Sequence, residues 1–371
     1  MQVGAPASPT PAEIQALRRS CRRFLHGAGN RSAADYLQNI PIDTEVDNYG
    51  SGGVVEELER EIATLLGKPA AVFMPSGVMA QQIALRIHAD RRGRRGVVFH
   101  PMCHIDTKEL GGYQRLHRLE GHPVGEPHRL LELSDLTTHR WYGERIAEPP
   151  AVLVLELPQR DIGGQLPAWE ELIAQVEWAR ARGAAVHMDG ARLWGCGSFY
   201  SLTLDQIAEP FDTVYVSFYK QLAGLAGSAL AGADDVVAEA REWRRRQGGT
   251  LRSLWPNAAS GLAGLRSRLP QIGAYQEQAL GIADALRDLD GVDVVPDPPH
   301  TPMFHLLLHR DADSLSRIAL ELAREEGTWT FHRPDRTEVP GICRWEIEVG
   351  AATMGWAPSE ARELIRRLLT E

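Results

Sequence analysis

The chain has 371 residues, 43% of them apolar, and a formal net charge of -9. A chain of this length buries a large core and is expected to form one large or two moderate domains. The negative charge argues against nucleic acid or an anionic membrane surface as a partner, because both require a concentrated positive field.

The cysteines and the apolar segments indicate the cellular compartment of the protein. The four cysteines are scattered without a CxxC pair, which favours reduced thiols in a cytoplasmic protein, and no metal site is expected. The residues from Met1 to Pro11 lack the apolar core of a signal peptide, and the sequence contains no run of about 18 apolar residues. Neither export nor membrane insertion is expected.

Apolar runs typical of buried strands alternate with helical patterns from residue 46 to about residue 258. A helix is predicted from Val54 to Leu65, and Gly67 ends it. A strand follows at 70–74, and the turn Pro75-Ser76-Gly77 leads into a second helix. Further elements are predicted as strands at 97–99, 152–155, 185–188 and 214–216 and as a helix at 169–182. This alternation predicts an α/β domain built on a doubly wound, mostly parallel sheet.

The pattern changes after about Ala258. A long helix is predicted from there to about Leu289. The remaining elements are predicted as strands at 292–295, 303–308 and 344–349 and as helices near 314–326 and 359–369. They indicate a small α+β C-terminal domain. The expected division is an N-terminal arm and helix at 1–45, a large domain at 46–258 and the small domain at 259–371.

Two of the predicted strands lead to ionisable residues. The strand at 185–188 is followed by Asp189, and the strand at 214–216 leads to Lys220. Ligands of open parallel sheets bind outside the C-terminal strand ends, where both residues fall. A lysine can hold the aldehyde of pyridoxal phosphate as a Schiff base, and a carboxylate can keep its ring nitrogen protonated. A lone lysine is more often a surface charge and a lone aspartate a helix cap, but the two together favour this cofactor.

Other residues complete the predicted cofactor site. The amides of the turn Ser76-Gly77-Val78 precede a helix and are expected to face a phosphate. A second phosphate candidate is the segment from Arg245 to Arg252, which combines fixed positive charge with two glycines. His104 follows the strand at 97–99 and is a candidate to cover the cofactor ring and to act as an acid or base. Taken singly, these features also fit a helix cap, a solvated helix face and a surface histidine.

The order of these motifs along the chain resembles a known family. The resemblance is carried by Tyr49-Gly50, Pro75-Ser76-Gly77, Cys103-His104, Glu109-Leu110-Gly111-Gly112, His187-Met188-Asp189-Gly190-Ala191-Arg192, Lys220 and Gly248-Gly249-Thr250-Leu251-Arg252. Together they resemble the low-specificity L-threonine aldolases, which belong to the β-eliminating lyase group of fold-type I pyridoxal phosphate enzymes. The similarity runs from about Asp47 to the end of the chain. It implies a transferase-like α/β fold of type I.

The resemblance implies which residues hold the cofactor. Lys220 is expected to be the Schiff-base lysine, Asp189 the partner of the ring nitrogen and His104 the histidine stacked on the ring. The turn of Ser76, Gly77 and Val78 is expected to bind the phosphate.

The resemblance also implies a substrate and an assembly. Arg192 is expected to contact both the cofactor and the substrate carboxylate, and Arg344 to hold that carboxylate from the small domain. Arg252 and Arg245 are expected to reach the phosphate of a neighbouring subunit, since the family forms dimers that pair into tetramers. A homodimer or homotetramer is implied. The implied reaction is retro-aldol cleavage of a β-hydroxy-α-amino acid such as L-threonine or L-allo-threonine to glycine and an aldehyde.

Several segments depart from the family pattern. An N-terminal Ser-Asp-Thr triplet is absent, and Gln159-Arg160-Asp161 lies where the family has Asn-Thr-His-Asn, whose histidine contacts the substrate. Tyr49, Gln159 and Arg160 are therefore candidate substrate contacts beside the two arginines. Val78 and Tyr219 stand where the family has threonine and serine, so the hydroxyl for the phosphate is expected elsewhere, with Ser217 as a candidate.

Three other interpretations stay open. Within pyridoxal phosphate chemistry, β-elimination, racemisation and glycine transfer to a larger aldehyde use the same residues and would diverge at 159–164. The run Ser217-Phe218-Tyr219-Lys220 also matches the SxxK motif of penicillin-recognising serine acylases, although their Ser-Asp-Asn and Lys-Thr-Gly elements are absent. The third is a non-catalytic protein that keeps the fold, but a scaffold gains nothing from a buried amine and buried charges.

Overall fold

The computed structural model describes residues 9–139, 149–331 and 333–370. The chain divides into two compact units, one of residues 33–273 and one that combines residues 1–32 with 274–371. The N-terminal segment, predicted as a separate arm to residue 45, belongs to the smaller unit as far as residue 32. The boundary predicted at 258 lies at 273.

Strands and helices are distributed over both units. The strands are β1 (Arg23–Phe24), β2 (Ala70–Met74), β3 (Gly96–Phe99), β4 (Glu120–Pro123), β5 (Val152–Glu156), β6 (Ala185–Gly190), β7 (Thr213–Ser217), β8 (Ser228–Gly232), β9 (Val292–Val295), β10 (Met303–Leu308), β11 (Thr328–Trp329), β12 (Asp335–Arg336) and β13 (Cys343–Glu348). The helices are α1 (Pro11–Ser20), α2 (Ala33–Leu37), α3 (Gly53–Leu65), α4 (Gly77–Arg92), α5 (His104–Thr107), α6 (Gly112–His117), α7 (Leu133–Thr138), α8 (Trp169–Ala181), α9 (Gly197–Tyr200), α10 (Leu204–Ala208), α11 (Asp234–Arg246), α12 (Trp255–Arg268), α13 (Ile272–Leu286), α14 (Ala312–Glu326) and α15 (Pro358–Thr370).

The larger unit is built on a sheet with the strand order β2-β8-β7-β6-β5-β3-β4. The strands from β4 to β7 in this order are parallel neighbours, and β8 runs antiparallel to both β7 and β2. Helices α4 and α11 pack against β2 and β8, and α8 packs against β5 and β6. All residues of β6 and β7 are buried, which explains why their apolar residues do not alternate with exposed polar ones, since these strands are covered on both faces. The sheet is mostly parallel, as predicted.

The structure differs from the predicted elements at several places, and two of these differences have a clear cause in the sequence. Strand β8 (Ser228-Ala229-Leu230-Ala231-Gly232) carries no strand signal in the sequence, because it lacks the β-branched and aromatic residues that favour strands. The long helix predicted from residue 258 is interrupted between α12 and α13 by a 3-10 turn at Leu269–Gln271. Pro270 lies in this turn and has no amide hydrogen for a helical bond, which accounts for the break.

Helix α4 is buried on most sides. It begins after Ser76, whose hydroxyl accepts the amide hydrogen of Met79, and it ends at Gly93 in the left-handed region. Its polar residues Gln81, Gln82 and His88 are buried together with its apolar ones. Buried polar groups need hydrogen-bond partners inside the protein. The buried polar side chains of this helix are therefore expected to form hydrogen bonds with other buried residues of the larger unit.

The smaller unit is an α+β structure. It contains the antiparallel sheet β12-β13-β10-β9 and the parallel pair β1-β11. The N-terminal segment belongs to this unit because Arg23–Phe24 pairs with Thr328–Trp329. Cys21 and Phe24 also pack with Trp329 and with residues of α14 in one apolar cluster.

All four cysteines are buried and free of disulfides. Within the described residues, no helix combines the length and the apolar composition needed to cross a bilayer.

Candidate active site

A cavity of about 290 Å³ lies at the carboxyl ends of β6 and β7 and at the N-terminus of α4. Because parallel neighbouring strands end at the same edge of a sheet, residues far apart in sequence meet there. The cavity is lined by six of the predicted site residues, namely Ser76, Gly77, Val78, His104, Asp189 and Lys220. It is also lined by four polar residues that were not predicted, namely Gln81, Glu109, Tyr215 and Tyr219.

Asp189 and Lys220 differ in their surroundings. Asp189 is almost fully buried at the end of β6, where its Oδ1 accepts the amide hydrogen of Ala191 at 3.1 Å. Its Oδ2 accepts a hydrogen bond from the Gln81 side chain. Lys220 follows β7 and is half-buried, with its Nζ 5.9 Å from the centre of the Tyr219 ring. The carboxylate is therefore fixed from within, and Lys220 lines the cavity.

The turn before α4 has the features of an anion site. The first amides of a helix are not used within it and lie at the positive end of its dipole. Gly77 is required by packing, because a Cβ there would lie 2.1 Å from the Tyr215 hydroxyl oxygen. Burial raises the pKa of Tyr215 well above its ordinary value. A neutral phenol therefore lies beside the turn, hydrogen-bonded to the hydroxyl of Tyr219.

His104 is paired with a buried carboxylate. Its Nδ1 lies 3.0 Å from Glu109 Oε1, and Gln82 donates to Glu109 Oε2 at 2.6 Å. Burial lowers the pKa of His104, but the hydrogen bond to Glu109 and the charges of Asp189 and Glu109 outweigh it, so the pKa is raised. The partner fixes Nδ1 as the protonated nitrogen, which leaves Nε2 for a ligand or a proton.

Glu156 is a further carboxylate at this edge of the sheet. It ends β5 in register with Asp189 on β6. It accepts hydrogen bonds from the amides of His104 and Arg160, both at 3.1 Å, and from the Gln159 side chain at 3.2 Å. Burial and then the charge of Asp189 raise its pKa to about 7. The signal in the sequence was the same as for Asp189, an acidic residue at the end of a buried strand.

The segment after β5 holds the predicted substrate residues Gln159 and Arg160. Gln159 is buried and donates to Glu156 and to the Met102 carbonyl. Arg160 is half-buried and donates to Asp161 at 2.9 Å, and Lys108 lies 3.2 Å from the same carboxylate. Neither Gln159 nor Arg160 lines the cavity.

Five more predicted residues of the larger unit lie outside the cavity lining. Ser217 is fully buried and its hydroxyl donates to the Ala191 carbonyl at 2.8 Å, whereas the hydroxyl of Tyr215 lies beside the turn before α4. Ser217 ends a strand and opens no helix, which excludes the serine acylase interpretation. Arg192 is buried after β6.

Three of these five residues lie on the surface of the described chain. Arg245 is exposed on the last turn of α11. Arg252 is exposed and donates to the Asn48 side chain, with its guanidinium 5.4 Å from the centre of the Tyr49 ring. Tyr49 is exposed and adopts a positive φ of 53°.

Arg344 lies in the smaller unit. It is part of β13, and its Nη2 lies 3.0 Å from Asp335 Oδ2.

The groups at the cavity fit pyridoxal phosphate. An amine, a buried carboxylate, a histidine ring and a helix N-terminus line the same space. At Gly77 the backbone passes so close to Tyr215 that no side chain fits, and the amides that begin α4 are of the kind that bind a phosphate.

A protein-family model matches most of the chain. The family model described as beta-eliminating lyase matches residues 28–309. Among curated relatives, low-specificity L-threonine aldolase 1 of Arabidopsis thaliana is 26% identical over 78% of this chain and 81% of its own. The low specificity L-threonine aldolase of Escherichia coli K12 is 29% identical over 72% of this chain and 78% of its own.

Solved structures agree with this match. A proposed L-allo-threonine aldolase of Listeria monocytogenes is 39% identical, with a TM-score of 0.88 over 96% of this chain and 98% of its own. A proposed aromatic amino acid beta-eliminating lyase/threonine aldolase of Exiguobacterium is 36% identical, with a TM-score of 0.87 over 95% of this chain and 98% of its own. These neighbours confirm the predicted fold class.

Proposed function

Because the chain belongs to the beta-eliminating lyase family, a group of pyridoxal phosphate-dependent enzymes, we propose that it cleaves the Cα–Cβ bond of a β-hydroxy-α-amino acid. The proposed substrates resemble L-threonine and L-allo-threonine, and the proposed products are glycine and an aldehyde. The observation that carries the proposal is the cavity that joins Lys220, Asp189 and His104 to the N-terminus of α4.

The residues proposed to hold the cofactor follow from the chemistry of their groups. Lys220 holds the aldehyde, Asp189 pairs with the ring nitrogen, and the amides of Gly77 and Val78 bind the phosphate. Ser76 caps the helix that carries these amides. When bound, pyridoxal phosphate holds the substrate amine covalently and takes up the electron pair released at Cα. The buried Asp189 stabilises the charge that this requires.

His104 is proposed to cover the ring and to move a proton. Its Nδ1 is held by Glu109, so Nε2 is the atom available on the side of the cavity. Neutral Nε2 can accept the proton of the substrate hydroxyl as the carbon–carbon bond breaks. Glu109 would stabilise the cationic ring that results, since it is buried and only 3.0 Å away.

The substrate carboxylate is proposed to bind to arginines. Arg192 and Arg344 are the first candidates, because a guanidinium binds a carboxylate through two parallel hydrogen bonds. Gln159, Arg160 and Tyr49 are the remaining proposed contacts. Fixing the carboxylate orients the bond that is to be cleaved.

A homodimer or homotetramer is proposed for the active protein. Arg245 and Arg252 are exposed and lie outside the cavity lining of their own chain, so they are available to a neighbouring subunit's phosphate. Leu251, which lies between them in sequence, is also exposed. A cytoplasmic location is proposed from the four free thiols.

The test is a product assay with purified protein. Incubation with L-threonine and with L-allo-threonine should release equal amounts of glycine and acetaldehyde, and Lys220→Ala should abolish both products. If neither amino acid is cleaved while β-elimination, racemisation or transfer of glycine proceeds, the aldolase assignment is wrong. The replacement of the family's histidine by Gln159-Arg160-Asp161 is the observation that favours these alternatives.

A further inference from the structure

Five buried side chains of the larger unit form a continuous chain of hydrogen bonds that ends on Asp189. Gln81 bonds to Asp189 with its amide nitrogen and to His187 Nε2 with its amide oxygen at 2.8 Å. His187 Nδ1 lies 2.8 Å from the Thr213 hydroxyl, which lies 2.8 Å from His88 Nε2. Each of the five residues is at most 3% exposed. Only Gln81 and Asp189 line the cavity, so the proposed function leaves the other three unexplained.

When Asp189 is ionised, the donor and the acceptor of every hydrogen bond in this network are determined. An ionised carboxylate only accepts, so Gln81 donates its amide hydrogen to Asp189 and its oxygen must accept from His187 Nε2. Burial lowers the pKa of both His187 and His88 to about 3, so each ring is neutral and carries one hydrogen. His187 Nδ1 is then an acceptor, and the Thr213 hydroxyl must donate to it.

The last link follows in the same way. Because the Thr213 hydroxyl has a single hydrogen and gives it to His187, it can only accept from His88. His88 therefore carries its hydrogen on Nε2. All four donors point toward Asp189, and such aligned hydrogen bonds polarise and strengthen one another in a dry interior.

We propose that His88, Thr213, His187 and Gln81 form a one-way hydrogen-bond relay that holds Asp189 as an anion in the orientation the cofactor ring nitrogen needs. The inference rests on the proposed role of Asp189 in the cofactor site. A buried carboxylate without donors would take up a proton, and the proton on the ring nitrogen would lose its partner. The four residues are positioning residues, since they act through Asp189.

The direction of the relay is tested by the histidine tautomers. Solid-state ¹⁵N NMR of histidine-labelled holoenzyme should show two neutral rings protonated on Nε2 whose signals move in Thr213→Val. Thr213→Ser keeps the hydroxyl and should keep both tautomers. A His187 ring protonated on Nδ1, or two hydrogens on either ring at neutral pH, overturns the proposal.

The effect on the cofactor is tested with ¹⁵N-labelled pyridoxal phosphate in the same experiment. The ring nitrogen should be protonated in the wild type and should shift toward the unprotonated value in Gln81→Leu, with a smaller shift in Thr213→Val. Loss of one hydrogen bond to a charged group should weaken cofactor binding about tenfold to hundredfold in Gln81→Leu.

Gln82→Leu is the matched control. Gln82 is the next residue of α4, is equally buried and also donates to a carboxylate, that of Glu109. Its replacement should leave the ring nitrogen protonated. An unchanged nitrogen in Gln81→Leu and Thr213→Val, or an equal shift in Gln82→Leu, overturns the proposal. A wild-type protein that binds no cofactor would instead overturn the proposed function, and the histidine tautomers would still decide the relay.

Discussion

The ends of β5 and β6 lie side by side, with Glu156 and Asp189 in register, but the two strand ends are built differently. Asp189 is held by the Ala191 amide and by Gln81, which belongs to a fully buried network. The segment that follows Glu156 places Arg160 at a partly exposed turn, where it pairs with Asp161.

The difference separates two tasks of the site. A charge held from within by neutral donors keeps one position, so it suits a permanent partner such as a cofactor. A guanidinium at a partly exposed turn can be exchanged without disturbing the interior, so it suits a contact that varies with the substrate. Substitutions at the β6 and β7 ends should therefore change cofactor binding. Substitutions after β5 should change substrate preference.

Lys220→Ala, just after the end of β7, should reduce activity more than any other substitution at these strand ends. Without the amine the cofactor cannot be held covalently, so the visible absorbance band of the lysine-bound cofactor should disappear. The value of kcat/KM should fall about a thousandfold or more for every substrate. Lys108→Ala is the control, because Lys108 pairs with Asp161 and should leave the band in place. A band that survives in Lys220→Ala would mean that another group holds the cofactor.

Asp189→Asn should have the next largest effect. The substitution keeps the shape of the side chain but removes the charge that stabilises a protonated ring nitrogen. Removal of one such electrostatic partner costs about 10²- to 10³-fold in kcat. Steady-state kinetics should show this loss while the absorbance band remains. Activity within a few fold of the wild type would contradict the assignment of the β6 end to the cofactor.

The sequence was sufficient to predict the β6 and β7 ends because of how parallel sheets are covered. Strands buried on both faces are continuous apolar runs, and a polar residue at their end stands out. The elements around them were found for the same reason. The chemistry of a lysine and a carboxylate at adjacent strand ends predicted roles for Lys220 and Asp189, and the resemblance to a family implied the same roles. Strand β8 gave no such signal because it is built of small residues.

The partners of these residues could not be predicted from the sequence. The bonds from Gln81 to His187 and to Asp189 join residues more than 100 positions apart, and no local periodicity encodes them. Glu156 had the required signal, but only the register of β5 and β6 shows that it lies beside Asp189. The Tyr215 hydroxyl lies against Gly77, and only the three-dimensional structure shows this contact.

Arg160→Ala tests whether the segment after β5 contacts the substrate and not the cofactor. If Arg160 binds the substrate carboxylate, KM should rise about tenfold to hundredfold, since a hydrogen bond to a charged group is lost. The absorbance band and the affinity for the cofactor should stay unchanged. Lys108→Ala is the matched control, because it removes the other cation beside Asp161. An equal rise of KM in Lys108→Ala would show that the turn, and not the Arg160 contact, matters.

Glu109→Gln should have the smallest effect on activity. It tests whether Glu109 controls the protonation of His104. The hydrogen bond and charge of Glu109 raise the pKa of His104 against the effect of burial. Their removal should lower that pKa, so the limb of the kcat/KM profile that depends on His104 should move to lower pH. Glu109→Asp, which keeps the charge, should move it less.

The same substitution should change how stability depends on pH. A histidine whose pKa is raised by folding contributes stability that is fully present below its unfolded pKa, about 6.5. This contribution is lost as the pH rises through the folded value. Glu109→Gln should therefore lower Tm more in mildly acidic than in alkaline buffer, which thermal unfolding at both pH values would measure. An equal loss at both pH values would show that Glu109 supports packing and not the charge of His104.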